Sequence, residues 1–116
     1  MFRDGLVIDG LMVAPPSGRT VANLLGAGLT GCNWTVASHS DDILAALNKL
    51  IPFYWLLEQH AEKALLVESA AALDRAKREG KFEIILGFQG ASPLGRNVHL
   101  IRVFHRLGVR IIQLLQ

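Results

Sequence analysis

This chain has very little cysteine, no long apolar run and almost no charge imbalance, and each shortage excludes something. Cys32 is the single cysteine in 116 residues, so an internal disulfide is impossible and a reducing compartment fits. A buried strand thiol is its plain reading. No apolar stretch approaches the roughly 20 residues that cross a bilayer. The opening MFRDGLVIDG runs straight into a strand, with neither the apolar core nor the small-residue cleavage site of a signal peptide. These absences together lead to the expectation of a soluble cytoplasmic protein with no membrane partner.

Twelve Lys and Arg stand against ten Asp and Glu, a formal charge of +2. That is no electrostatic case for nucleic acid or an anionic surface. The densest basic group, Arg75, Lys77, Arg78 and Lys81, reads as a solvated helix end and loop, where cations meet the negative end of the helix dipole. Length sets another bound. A closed α/β barrel takes about 250 residues, so 116 residues make one domain, 1–116, of about half that size.

What the chain does contain is repeated strand and helix patterning. The segment Phe82 to Gln116 holds the apolar run Ile84, Ile85, Leu86, then a polar loop. Leu100, Ile101, Phe104 and Leu107 follow at helical spacing, then a Gly108 stop and a second run, Val109, Ile111, Ile112, Leu114, Leu115. Continuous apolar strands flanking an amphipathic helix indicate parallel strands covered on both faces. A right-handed crossover joins them.

Earlier in the chain, Leu6, Val7 and Ile8 predict a short strand ending at Asp9 and Gly10. Thr20 is expected to cap a brief helix with Val21, Leu24 and Leu25 inward and Gly28 as its stop. Thr30 to Ala37 reads as the second strand, with Cys32, Trp34 and Val36 alternating. Ser40, Asp41 and Asp42 open a helix whose apolar face is Ile43, Leu44, Leu47, Leu50, Ile51, Tyr54 and Trp55, and Pro52 predicts a kink or a division there. Leu65 to Val67 form a third strand ending at Glu68, and Ser69 caps a helix that runs to Gly80. The order is βαβαβαβαβ, about five parallel strands with four helices.

Parallel α/β sheets build their sites at the C-terminal strand ends. This register places Asp9, His39, Glu68, Gln89 and Gln116 there as pocket candidates. Each also has an ordinary structural explanation: a turn anchor for Asp9, solvation for His39, a helix N-terminus for Glu68, loop backbone for the two glutamines.

Other motifs fail on context. Gly26, Gly28 and Gly31 spell the dinucleotide fingerprint, but a helix ends and a strand begins there, the reverse of what pyrophosphate binding needs. No pair among His39, His60, His99 and His105 stands at the i, i+4 spacing that aims two imidazoles at one metal.

LVIDG at Leu6 to Gly10, AKREGK at Ala76 to Lys81, IILGFQG at Ile84 to Gly90 and LGVRIIQL at Leu107 to Leu114, in that order and spacing, resemble the N-terminal half of the membrane dipeptidase family. The resemblance covers nearly the whole chain. It implies a partial (β/α)8 barrel and a family chemistry in which two bridged zinc ions activate a water that attacks a dipeptide bond. The family's first strand ends Asp-Gly-His-Asn-Asp, with the His and last Asp as ligands. Here Leu11 and Val13 stand in those places.

Gln89 stands where the family's fourth strand ends in a bridging Glu. The family's fifth strand closes Leu-Thr-His/Tyr-Asn, where this chain has Leu114, Leu115 and Gln116. The resemblance therefore implies zinc for the family, no cofactor for this chain, and no dipeptide hydrolysis by this chain alone. The expected partners are a dipeptide or other small ligand, and a second copy closing the open half-barrel. The alternative reading is a non-catalytic relative that keeps the scaffold and binds a small ligand.

Overall fold

The computed structural model describes residues 8–12 and 16–113. Its elements run β1 (Ile8–Met12), α1 (Gly18–Gly26), β2 (Gly31–Ser38), α2 (Ile43–Gln59), β3 (Ala64–Leu66), α3 (Ala70–Glu79), β4 (Phe82–Gln89), a 3-10 turn (Ser92–Leu94), α4 (Leu100–Arg106) and β5 (Val109–Ile112). Every pairing between strands is parallel.

The helix boundaries follow local chemistry. Asp42 accepts the Ala45 N–H at 2.9 Å and caps α2, and Ser69 accepts the Ala72 N–H at 3.2 Å and caps α3. Gly80 closes α3 with φ of 66°, a conformation that costs a residue with a Cβ. The first helix starts earlier than expected. Ser17, not Thr20, is its cap, accepting the Thr20 N–H at 3.1 Å, because the Ser17 backbone is the extended one.

Strand order is β1-β2-β4-β3, with β5 also paired to β4. The five parallel strands and four helices expected are present, and the strands share the sheet unevenly. β3 has three residues and pairs with Phe82 to Ile84, while β5 pairs with Leu86 to Phe88, so the two share one edge of β4 in succession. The sheet therefore has four positions across, and β2 neighbours β4. The first strand also differs: it runs to Met12, so Asp9 lies within it beside Cys32. Leu6 and Val7 lie outside the described residues.

One face of the sheet carries the core. Cys32, Trp34, Ile84, Leu86 and Phe88 pack with Leu50, Phe53 and Leu56 of α2 and Phe104 of α4, all nearly solvent-free. Trp34 meets Phe53 edge to face at 5.3 Å, and Phe88 meets Phe104 at 4.9 Å. Each such side chain stabilises the fold by about 1.5–3 kcal/mol through burial. The Tyr54 hydroxyl donates to the carbonyl of Leu107, fastening α2 to the end of α4.

Pro52 neither ends nor divides α2, which is a single helix of 17 residues. Leu50, Phe53 and Leu56, on both sides of the proline, are buried in the same core and hold the helix together. The face that α2 turns inward differs from the expected one. The inner residues are Ala46, Leu50, Phe53 and Leu56, whereas Ile43, Leu44, Leu47, Ile51 and Trp55 of the expected face are exposed.

The opposite face is different. Residues that alternate with the core set are Gly31, Asn33 and Thr35 on β2 and Glu83, Ile85, Gly87 and Gln89 on β4, paired as Gly31–Glu83, Asn33–Ile85 and Thr35–Gly87. The helix α3 belongs to this side. Its buried Ala76 is outside the main core, and its Leu73 shares a hollow with Ile85 and Ile111. A right-handed return from the edge strand β3 to β4 requires that placement.

Candidate functional site

Two of the five pocket candidates come together. The ladder pairs Ser38 with Gln89, so β2 and β4 end side by side. Just beyond, Gly90 packs on His39: a Cβ on Gly90 would lie 2.8 Å from the His39 Cα. Gly90 is thus required for the close approach. Asp41 fixes this corner from behind, accepting the Ser38 N–H at 2.8 Å and the Lys49 ammonium at 2.7 Å. Those bonds, the one to Lys49 first, hold its carboxyl below the ordinary range. His39 is exposed and Gln89 half-buried at the strand ends.

The other candidates are elsewhere. Because β3 reaches only Ile84, Glu68 emerges at mid-height of β4, some residues short of Gln89. There it lies 3.7 Å from the Arg110 guanidinium, which also donates to the Glu68 carbonyl at 3.0 Å and the His105 carbonyl at 2.6 Å. Asp9, in mid-strand, is likewise below the strand ends. Gln116 lies outside the described residues, as do Val13, Leu114 and Leu115. Leu11 lies within β1. Among the described residues, no three His, Cys, Asp or Glu side chains gather closely enough to hold a metal ion.

Two polar residues on the α3 side, Asn33 and Glu83, are buried inside strands. Glu83 is 1% exposed and its Oε2 has no partner. It lies against Gly31, where a Cβ would stand 2.6 Å from the Glu83 Cβ. Burial pushes its carboxyl above the ordinary range, with Lys77 of α3 opposing the shift. Asn33 is 9% exposed and its Oδ1 is also unpartnered. The signal in the sequence was phase: both residues alternate with large apolar neighbours, so the apolar pattern that located the strands passed over them.

Comparison with known proteins completes the description. A family model for membrane dipeptidase, peptidase family M19, matches residues 18–116. The chain belongs to this family. The dipeptidase tcpJ of Claviceps purpurea (strain 20.1) is 32% identical over 59 residues, 51% of this chain and 14% of that protein. An amidohydrolase from Pseudomonas aeruginosa is similar in structure with a TM-score of 0.91 and 31% identity, over 97% of this chain and 34% of that one.

The probable dipeptidase PvdM from Pseudomonas aeruginosa superimposes with a TM-score of 0.81 at 15% identity, over 99% of this chain and 36% of that one. Dipeptidase AC, a metallopeptidase of family M19, does so at 0.75 and 16%, over 92% and 41%. These two bear on fold alone, and the fold is the one expected: an α/β arrangement forming part of a (β/α)8 barrel. The chain spans 34–41% of the length of these solved structures and 14% of tcpJ.

Proposed function

We propose that this chain is a half-barrel portion of a dipeptidase-family protein that binds a small ligand, such as a dipeptide, and does not by itself hydrolyse it through a zinc pair. One observation carries the reading: Gln89 occupies the end of β4, beside the end of β2, with a neutral carboxamide. A bridge between two dications requires an anionic oxygen ligand, and an amide is a poor substitute. Leu11 in β1 has no donor atom at all. The residues present do not fit the metal centre of the family.

The test is dipeptide hydrolysis by the purified chain with zinc supplied. No turnover above the buffer rate is expected. Chelator-sensitive turnover would overturn the reading.

A second copy closing the half-barrel is supported by the α4 side of the sheet. A mostly apolar hollow of about 340 Å³ lies there beside β5, lined by Leu94, Ile101, Phe104, Val109 and Ile112 together with His105 and Arg110. An apolar hollow next to a sheet edge is a liability unless something packs on it. Light scattering is expected to give a compact dimer, and a monodisperse monomer would contradict this part.

A further inference from the structure

Eight large apolar residues are exposed among the described residues, and they are not scattered. Five belong to α2, and the other three, Val98, Ile101 and Val103, lie at or just before α4. The two helices are neighbours, since the Tyr54 hydroxyl of α2 donates to the carbonyl of Leu107 at the end of α4. Leu44, Leu47, Ile51, Trp55 and Glu58 recur at steps of three and four, a single stripe along the outward side of α2. Leu44 is 67% exposed and Trp55 60%, so the stripe is open surface and not a margin of the core. Apolar residues exposed singly need no explanation, but a contiguous patch does.

Charge divides the same surface in two. No Asp or Glu stands between Ile84 and Gln116, while Arg96, Arg102 and Arg106 are exposed there and enter no ion pair among the described residues. Arg102 and Arg106 are one turn apart on α4. On α2, Glu58 closes the stripe and Glu62 follows the helix, and both are likewise without an ion pair among the described residues. Lys49, the one cation within α2, is taken by Asp41 at 2.7 Å. A basic apolar patch therefore lies beside an acidic apolar patch.

We propose that this surface docks a second copy of the chain, with α2 of each copy lying on α4 of the other and Glu58 of one meeting Arg106 of the other. A two-fold axis along the helices produces that arrangement and closes it as a pair. Charge selects it, because α2 on α2 would set acid against acid. Both helices run back between parallel strands, so they point the same way, and the axis keeps every residue at its own height. Leu107 is level with Tyr54, which brings Arg106 beside Glu58, one turn on from Tyr54 in the other copy. The stripe above Glu58 then covers Val98 and Val103.

The rest of a barrel is a poorer occupant. Further strand and helix units add at the sheet edges, and barrel helices form the outer ring, so such units leave the outward side of α2 open. The contact is also separate from closure of the half-barrel at β5, which uses the other side of α4, where Ile101 lines the hollow.

Sedimentation velocity of the full chain over a concentration series tests the proposal, with tryptophan fluorescence as a second readout. Wild type is expected to pass from monomer to dimer. Its emission should move to the blue as it does so, a change that Trp55 alone can supply because Trp34 is already buried. Glu58→Arg and Arg106→Glu replace exposed residues, and each is expected to weaken the dimer about tenfold while the double variant regains it. Ile101→Glu should leave the dimer intact.

A wild-type chain that stays monomeric at every concentration would overturn the inference. So would a dimer indifferent to both charge reversals, or a double variant no tighter than either single one. A dimer lost in Ile101→Glu and kept in Glu58→Arg would favour closure at β5 and contradict this contact alone. The reverse result contradicts that closure and leaves this contact standing.

Discussion

On one side of the sheet, Trp34, Leu86 and Phe88 interlock with Leu50, Phe53 and Phe104 with no unpartnered polar atom among them. On the other, Asn33 and Glu83 each leave an oxygen without a partner, glycines at 31 and 87 make room for them, and α3 buries a single residue, Ala76. The two sides belong to the same strands and differ only in phase. Stability is concentrated on the α2 side, and the residues that cost stability are kept on the α3 side. The α3 side is thus the less stable surface, since unsatisfied buried polar groups cost stability.

The strongest way to break the comparison is to remove a core ring. Trp34→Ala is expected to cost about 3–5 kcal/mol in urea unfolding, whereas Leu44→Ala, on the exposed side of α2, should change stability by no more than about 0.5 kcal/mol. Equal losses would mean that the two surfaces of α2 have been confused. Next comes Gly87→Ala, whose Cβ would stand 2.5 Å from Asn33 Oδ1. It should cost about 1–3 kcal/mol by overpacking and be largely relieved when combined with Asn33→Ala. A strictly additive double variant would show that the two residues are not in contact.

Glu83 sharpens the comparison through pH. Its folded carboxyl is held above the ordinary value of 4.5, so between that value and the folded pKa the native chain keeps a proton that the unfolded chain has lost. Stability contributed by Glu83 is therefore present at low pH and lost as pH rises through the folded pKa. Glu83→Gln should flatten that fall and be the more stable protein on the alkaline side. Asp41 has the opposite sign: its folded pKa lies below 3.8, and its contribution, present above that value, is lost as pH falls through the folded pKa. Asp41→Asn should remove that acid-side loss in pH-dependent urea unfolding. Last, Asp42→Ala removes the cap of α2 and should cost about 1 kcal/mol.

Much of the α2 side could be read from the sequence. Alternating Cys32, Trp34 and Val36 and the glycine stop at Gly108 each have a local cause and appear in the fold, as do the Ser69 cap and Gly80 stop of α3, while the cap of α2 is Asp42, two residues after the expected Ser40. What failed depended on tertiary partners. The helix α2 is apolar nearly all round, so periodicity alone could not choose between Leu44, Ile51 and Trp55 and the inward set. The three residues of β3 look like any strand in sequence, and only pairing shows that they share an edge with β5.

The corner formed by His39 and Gln89 was accessible because strand ends in parallel sheets are predictable. Glu68 and Asp9 were displaced from it because strand lengths and registers are not. Asn33 and Glu83 were hidden by their apolar neighbours.

The neutral strand end at Gln89 is the claim on which the functional account depends, and zinc stoichiometry tests it most directly. After equilibrium dialysis against micromolar zinc, elemental analysis of the chain should find well under one ion per molecule, with Gln89→Ala unchanged. Two zinc ions per chain, lost in Gln89→Ala, would contradict it.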